Sequence, residues 1–396
     1  MANRRRFLIR VGAVGSSITV AGCVEINLGD GGGDTDTGQD EQTERDEETE
    51  EPDERTDEQE FDIQLVPAWE HDIGFNVTTA AGDFFTGFTE VTRISPTGDV
   101  VFETEEFEND YRSIIRSGWR NAVYADDAGV YVGATPDDDS QGGRMYVLEP
   151  DTGNQRWMFE EPADGLHNNI RATTRVDDLV VYASMSSGSG SDQDPIVRAV
   201  DATTGVEQWE ISYSEGFVTG IFATEDRLFV QQVFGLFVYD LATQEKIKEV
   251  DVSSGFNRAI HDDGTLYMPG ETIRALSLPS TDEQWSVDTG YDVNTAATLT
   301  ETALFVGTEA GFILAYDRET GDQLWETRVD GVVGHPPVVE DGVVWIANER
   351  GELSAYTTQT GDLIYQEHVE PGFDFAVQDG VLVDSERETA FEIRRT

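Results

Sequence analysis

One short unit returns along this chain from about Phe61 onward and limits its fold more than any other feature. Ala199-Val200-Asp201-Ala202-Thr203-Thr204-Gly205 leads, four residues later, to Trp209, and Ala315-Tyr316-Asp317-Arg318-Glu319-Thr320-Gly321 leads to Trp325 with the same spacing. Weaker copies run from Pro96-Thr97-Gly98 to Phe102, from Asp151-Thr152-Gly153 to Trp157, and from Ala355-Tyr356 through Thr360-Gly361 to Tyr365. In two further copies, Tyr239-Asp240 to Lys248 and Ala275 to Trp285, the Thr-Gly pair is lost. The apolar run before the Asp has strand character. Thr-Gly makes a tight turn, in which Gly supplies the positive φ that other residues resist. The large residue opens the next strand and packs between neighbouring units. Each copy therefore predicts a β-hairpin joining the last two strands of a small antiparallel sheet.

A second periodic mark supports the count. A Gly followed by a mostly large apolar residue recurs at Gly74-Phe75, Gly118-Trp119, Gly165-Leu166, Gly216-Phe217, Gly255-Phe256, Gly290-Tyr291, Gly331-Val332 and Gly372-Phe373. The hairpin-closing positions are Trp69, Phe102, Trp157, Trp209, Lys248, Trp285, Trp325 and Tyr365, which makes eight. The unit resembles the pyrroloquinoline quinone (PQQ)-type repeat, whose core pattern is A-x-D-x-x-T-G-x-x-x-W. That resemblance covers nearly all of residues 65–396 and implies an all-β fold: an eight-bladed β-propeller of four-stranded antiparallel blades. Trp69 has no strands of its own before it, and the last repeat runs out at Ala390-Phe391-Glu392-Ile393 before its Trp position. The strand from about Leu65 to His71 is expected to complete that last blade. Closing the ring by pairing the N- and C-terminal strands removes the sheet edges that invite aggregation, so a monomer is expected. The longer insertions fall at 110–145 and 185–196.

The first sixty residues read as an address and a tether. Arg4-Arg5-Arg6-Phe7-Leu8 resembles a twin-arginine export signal, and the apolar run from Phe7 to Val20 is too short to span a bilayer comfortably. Val20-Ala21-Gly22-Cys23 resembles a lipobox, in which the cysteine is lipidated and the chain is cut just before it. From about Gly29 to Glu60 the chain is Gly, Asp, Glu and Thr with almost no apolar residue, so it cannot bury enough surface to offset its ordering entropy. The expected organisation is a signal peptide at 1–22, a lipid-anchored acidic linker at 23–60 and a propeller at 61–396. The destination is the extracellular face of the cell membrane.

Charge narrows the partners. The chain carries 79 acidic and 26 basic residues, a formal net charge of −53, and only Lys246 and Lys248 are lysines. Such a surface repels phosphate, which excludes nucleic acid. Molar salt shortens screening to ~3 Å and makes a dense acidic surface tolerable. In this, and in its scarcity of lysine, the composition resembles haloarchaeal proteins.

Chemistry is sparse by comparison. Enzymes of the PQQ family hold the quinone under a vicinal cysteine disulfide beside Ca²⁺. Here Cys23 is the only cysteine, so PQQ and Ca²⁺ are not expected as cofactors. There is no haem-attachment motif, nucleophile elbow or P-loop, and the five histidines lack zinc spacing. No catalytic residue and no metal ligand stands out. The best site is geometric, because in a propeller the loops entering each blade's inner strand meet around a central funnel. Those loops carry Asn76, Arg120, Asn121, His167, Asn168, Arg171, Asn257, Arg258, Asp292, Asn294, His335 and Asp374. These side chains either hydrogen-bond loop backbones or form a binding face for a peptide, an acidic group or a partner protein. The leading expectation is a non-catalytic, lipid-anchored interaction scaffold with a protein or peptide partner. It looks like the lipoprotein of the outer-membrane β-barrel assembly machinery (BamB-like). An archaeal cell has no outer membrane, and there only the scaffold role would transfer. A PQQ-dependent or other cofactor-dependent dehydrogenase and an extracellular solute or sugar receptor are the alternatives.

Overall fold

Each repeat folds into the hairpin its sequence encodes. Strand Ile196–Asp201 runs antiparallel to Glu207–Ser212 with Ala199 opposite Trp209, and Phe312–Asp317 pairs in the same way with Gln323–Arg328, Ala315 opposite Trp325. The repeat's Asp holds the turn. Asp201 Oδ1 accepts the Thr203 and Thr204 N–H groups at 3.1 and 2.8 Å and the Thr204 hydroxyl at 2.8 Å, and Asp317 does the same for Glu319 and Thr320. These bonds hold both carboxyls below the ordinary aspartate pKa.

The computed structural model describes residues 62–396 apart from 72–76, 88, 108–110, 114–122, 137, 139–140, 164–166, 168, 186–193, 214–215, 253–256 and 370–373. The expectations for 1–60 lie outside the described residues. The described residues form strands and turns with no helix, and their strands assemble into eight antiparallel sheets, the blades of a β-propeller. Blades I to VII follow the chain at 77–103, 112–160, 169–212, 218–251, 260–288, 298–328 and 338–368. Within each blade the strands lie in chain order from the inner edge outwards. Blade VIII combines Phe375–Gln378, Val381–Asp384 and Thr389–Arg395 with the N-terminal strand Ile63–Glu70 as its outermost member. Pro67 lies opposite Phe391 and Trp69 opposite Ala390, so the ring closes as expected.

Blade II departs from the four-stranded pattern. Its inner edge is made of two short strands, Arg112–Ser113 and Val123–Asp126, both paired with Gly129–Thr135. Ser113 lies opposite Ala134 and Val123 opposite Val132, so an insertion in the sequence has split one strand in two.

The core is a set of layers between blades rather than one central mass. Eight buried apolar clusters fill the eight inter-blade gaps. Alternation along a strand sends successive side chains to opposite neighbours. In Phe312–Asp317, Leu314 and Tyr316 face blade V, whereas Ile313 and Ala315 face blade VII. The middle strands are buried on both faces and therefore read as unbroken apolar runs such as Ala303–Gly307.

Candidate functional site

Antiparallel alternation places two kinds of loop at one end of the ring: those entering each inner strand, and those joining the second and third strands. The repeat's Asp–Thr-Gly turns lie at the other end. The first end is the funnel face. Among the described residues there, a few side chains tie one blade to the next. Gln231 of blade IV donates from Nε2 to the Asn257 carbonyl at 2.7 Å, and its Oε1 accepts the Ala259 N–H at 2.7 Å. Asn257, itself buried, donates from Nδ2 to the Val293 carbonyl at 2.6 Å. Three successive blades are thus joined through two carboxamides. Across the ring closure, Asp374 Oδ2 accepts the Val77 N–H at 3.4 Å, and the Asp374 carbonyl accepts the Ser385 hydroxyl at 2.8 Å.

The structure sorts the expected funnel residues. Asn257 and Asp374 bond loop backbones. His335 approaches Asp374, with Nδ1 3.8 Å from Oδ1. Asp292 is exposed and its carbonyl accepts the Glu309 N–H, while the Asn294 N–H reaches Gly307. His167 Nε2 lies 3.1 Å from the Asp194 carbonyl, which ties its loop to the Gly/Ser-rich connection of blade III. Arg171 sits over the Phe217 ring at 4.3 Å, between blades III and IV. Arg258 lies on the other side of blade IV beside Gly220, where desolvation lowers its pKa. His261 titrates low as well, through burial first and the Arg258 charge second. Cys23, Asn76, Arg120, Asn121 and Asn168 lie outside the described residues.

Sequence reasoning missed two features of this end. Asn169 and Gln232 are 5% and 9% exposed, yet Asn169 Oδ1 and Gln232 Nε2 have no hydrogen-bond partner. A buried amide group left in that state costs about 1–3 kcal/mol, so it needs an explanation. Glu161 and Arg198 form a buried pair between blades II and III, joined by two hydrogen bonds of 3.1 and 3.0 Å. Burial holds the Glu161 carboxyl above its ordinary pKa, against the pull of Arg198. Nothing in the local sequence marks either feature, because each is assembled from different blades.

Among the described residues, no three His, Cys, Asp or Glu side chains come together as a metal ion would require. At the opposite end, a cleft of about 680 Å³ opens between blades VI and VII, with Glu301, Asp317 and Glu340 beside Leu299, Leu324 and Val339. Burial raises the Glu340 pKa, while the Gly380 N–H on its carboxylate opposes the rise.

With this geometry in hand, similarity to known proteins is informative. The family described as "Outer membrane protein assembly factor BamB" matches residues 193–289 and 269–389. A protein of that name from Nitrosomonas eutropha is 28% identical over 133 residues, a stretch spanning 32% of each chain. The crystal structure of BamB from Moraxella catarrhalis superposes with a TM-score of 0.59 at 14% identity, over 84% of this chain and 97% of that one. The computationally designed Ika8 protein gives 0.62 at 13% identity, over 84% and 99%. A quinohemoprotein alcohol dehydrogenase from Pseudomonas putida gives 0.60 at 11% identity, over 81% and 71%. At such identities the superpositions speak for the fold alone, and the sequence matches add the family. The chain is a β-propeller of PQQ-like repeats, of the BamB-like kind.

Proposed function

We propose that this propeller is a binding scaffold, tethered outside the cell through Cys23, that holds a protein or peptide partner on its funnel face. The observation that carries the reading is a set of hydrogen bonds between blades at that end: Gln231 and Asn257 tie blades IV, V and VI, and Asp374 ties blade VIII to blade I, which supports a surface held in shape before a partner arrives. A surface ordered in advance loses less entropy on binding. The name of its relatives, an assembly factor, fits a protein partner. The export and lipidation motifs around Arg4-Arg5 and Cys23 fit delivery to the outer face of the membrane, and the acidic, lysine-poor composition fits a cell living in high salt.

Crosslinking and pull-down from native membranes in high salt tests the proposal. Replacing Arg120 and Arg258 together by Ala should lower partner capture at least about tenfold. Undiminished capture would remove the funnel from the reading. In the same preparation Cys23→Ser should release the protein into the medium, and retention in the membrane would refute the tether. A quinone absorbance band after addition of PQQ and Ca²⁺ would instead favour a dehydrogenase.

A further inference from the structure

One inter-blade gap takes an arginine of the chain itself, and the next gap, framed in the same way, is open. Arg318 follows Asp317 in the turn of blade VI, and Thr358 follows Thr357 at the same place in blade VII. The backbones correspond. The Arg318 N–H donates to the Thr302 carbonyl at 2.9 Å, and the Thr358 N–H to the Gly342 carbonyl at 3.0 Å. Trp285 donates to the Arg318 carbonyl, and Trp325 to the Thr358 carbonyl. The side chains differ. Arg318 reaches into the gap between blades V and VI. There Nη1 donates to the Thr300 carbonyl at 3.0 Å, Nη2 lies 2.7 Å from the Asp262 carboxylate, and Nε donates to the Tyr267 hydroxyl at 3.0 Å. The Thr358 hydroxyl stops at the Gly342 carbonyl, 3.2 Å away. Leu324 of blade VI stands where blade V has Gln284, whose amide donates to the Thr265 and Ser277 hydroxyls at 3.1 Å each. With a threonine and a leucine in these places, the cleft of about 680 Å³ opens between blades VI and VII.

The lining selects the guest. It includes Glu301, Asp317 and Asp341 but no lysine, arginine or histidine. Arg318 is turned to Asp262, and Arg395 of blade VIII bonds the Asp341 carbonyl. Asp317 caps its own turn through Oδ1, and Oδ2 takes no part in that cap. Leu299, Leu324 and Val339 supply the apolar part, and Leu324 is 48% exposed. Among the described residues no three acidic groups converge as a metal ion would require. Carboxylates spread beside an apolar wall match a long side chain with a charged end. A guanidinium, planar and with five donors, is the cation that the same frame already holds one gap away. We propose that the cleft between blades VI and VII binds an arginine side chain of a protein partner. Its stem lies on Leu299, Leu324 and Val339. Its guanidinium meets the Glu301 and Asp317 carboxylates and the Glu340 carbonyl, the counterpart of the Thr300 carbonyl that Arg318 uses. The site is at the end opposite the funnel face and is independent of the reading of that face.

The test is fluorescence anisotropy of the purified full-length chain in molar salt, which screens the rest of the acidic surface. The probes are a labelled Gly-Gly-Arg-Gly-Gly amide and the same peptide with citrulline or lysine at its centre. The arginine peptide should bind at least about tenfold more tightly than the neutral citrulline peptide, and more tightly than the lysine peptide. Thr358→Arg should abolish that binding by placing the chain's own guanidinium in the cleft, with a melting temperature unchanged or higher. Glu301→Gln, at an exposed position, should weaken the arginine peptide about threefold or more and leave the melting temperature unchanged. Equal binding of the arginine and citrulline peptides, no saturable binding of either, or full binding by a folded Thr358→Arg chain would overturn the site. Lysine bound as tightly as arginine would overturn the assignment of the guest. If Thr358→Arg does not fold, Glu301→Gln and Leu324→Ser decide: weaker binding in both supports the site, and undiminished binding in both overturns it.

Discussion

The repeat's tryptophan and its glycine serve each other across a blade boundary. Trp285 of blade V donates from Nε1 to the Arg318 carbonyl in the turn of blade VI at 3.1 Å, and its ring lies where a Cβ on Gly321 would be, 2.7 Å away. Trp157 meets Gly205, and Trp325 meets Gly361, in the same way. The glycine is thus both a turn residue with positive φ and the seat of the preceding blade's indole. Lys248 shows what replaces this where the motif decays. It stands in the Trp position, its ammonium donates to the Ser280 carbonyl at 2.9 Å, and the following turn has Thr281 at φ +58° in place of glycine. A comparison of two glycines tests the double role. Gly290→Ala meets open space at φ +72° and should cost only the conformational term, about 1–2 kcal/mol. Gly321→Ala, at φ +76°, should cost an additional ~1–3 kcal/mol because the indole must move. Denaturant unfolding measures both, and equal losses would deny the seat. The turn role was legible from Thr-Gly alone. The seat was not, because the two residues that meet belong to different repeats.

At the scale of elements, the blades are joined by apolar layers and, between blades II and III, by a buried ion pair. Arg198, on the third strand of blade III, holds Glu161 at the end of blade II, and Glu207 and Glu210 add two further carboxylates, that of Glu210 at 2.9 Å. The Glu161 side chain has no exposed surface and that of Arg198 has 4%. Removing one partner would strand the other charge, so Arg198→Met should cost about 3–5 kcal/mol. Adding Glu161→Leu should recover most of that loss, since a buried pair and a well-packed apolar pair are often close in stability. Thermal unfolding of the two variants measures this, and a double variant no more stable than Arg198→Met would contradict it. The strands themselves were readable from apolar runs and turn residues. The extra length at 110–145 was readable too, but not that it leaves two short strands, Arg112–Ser113 and Val123–Asp126, on one neighbour, because that pairing is set by Gly129–Thr135.

For the whole molecule, stability depends on closing the ring. Strand Ile63–Glu70 covers the outer edge of Thr389–Arg395, and Trp69 reaches past it to donate to the Pro96 carbonyl of blade I at 3.1 Å. A chain beginning at residue 72 would leave that edge bare and the first inter-blade seat empty. Such a chain should associate as its concentration rises and melt well below the full-length protein. A synthetic peptide of residues 62–71 should restore the monomer by adding the missing strand. Light scattering with size-exclusion chromatography follows both states, and a stable monomeric truncation would show that the closure contributes little.

Read alone, the sequence determined the architecture, since the repeat is local: Asp201 caps its own turn, Thr204 and Gly205 complete it, and Trp209 follows at a fixed distance. Seven such units, with Trp69 left over at one end and the strands to Phe391 at the other, close into a ring when the two ends form the eighth. The binding face belongs to the tertiary structure. Its members come from loops far apart in the chain, and whether a polar side chain ties a loop, as Asn257 does, or looks into a gap with no partner, as Gln232 Nε2 does, depends on which blade stands opposite. Hydrogen bonding acts over a few ångströms of space, and separation along the chain carries no record of it.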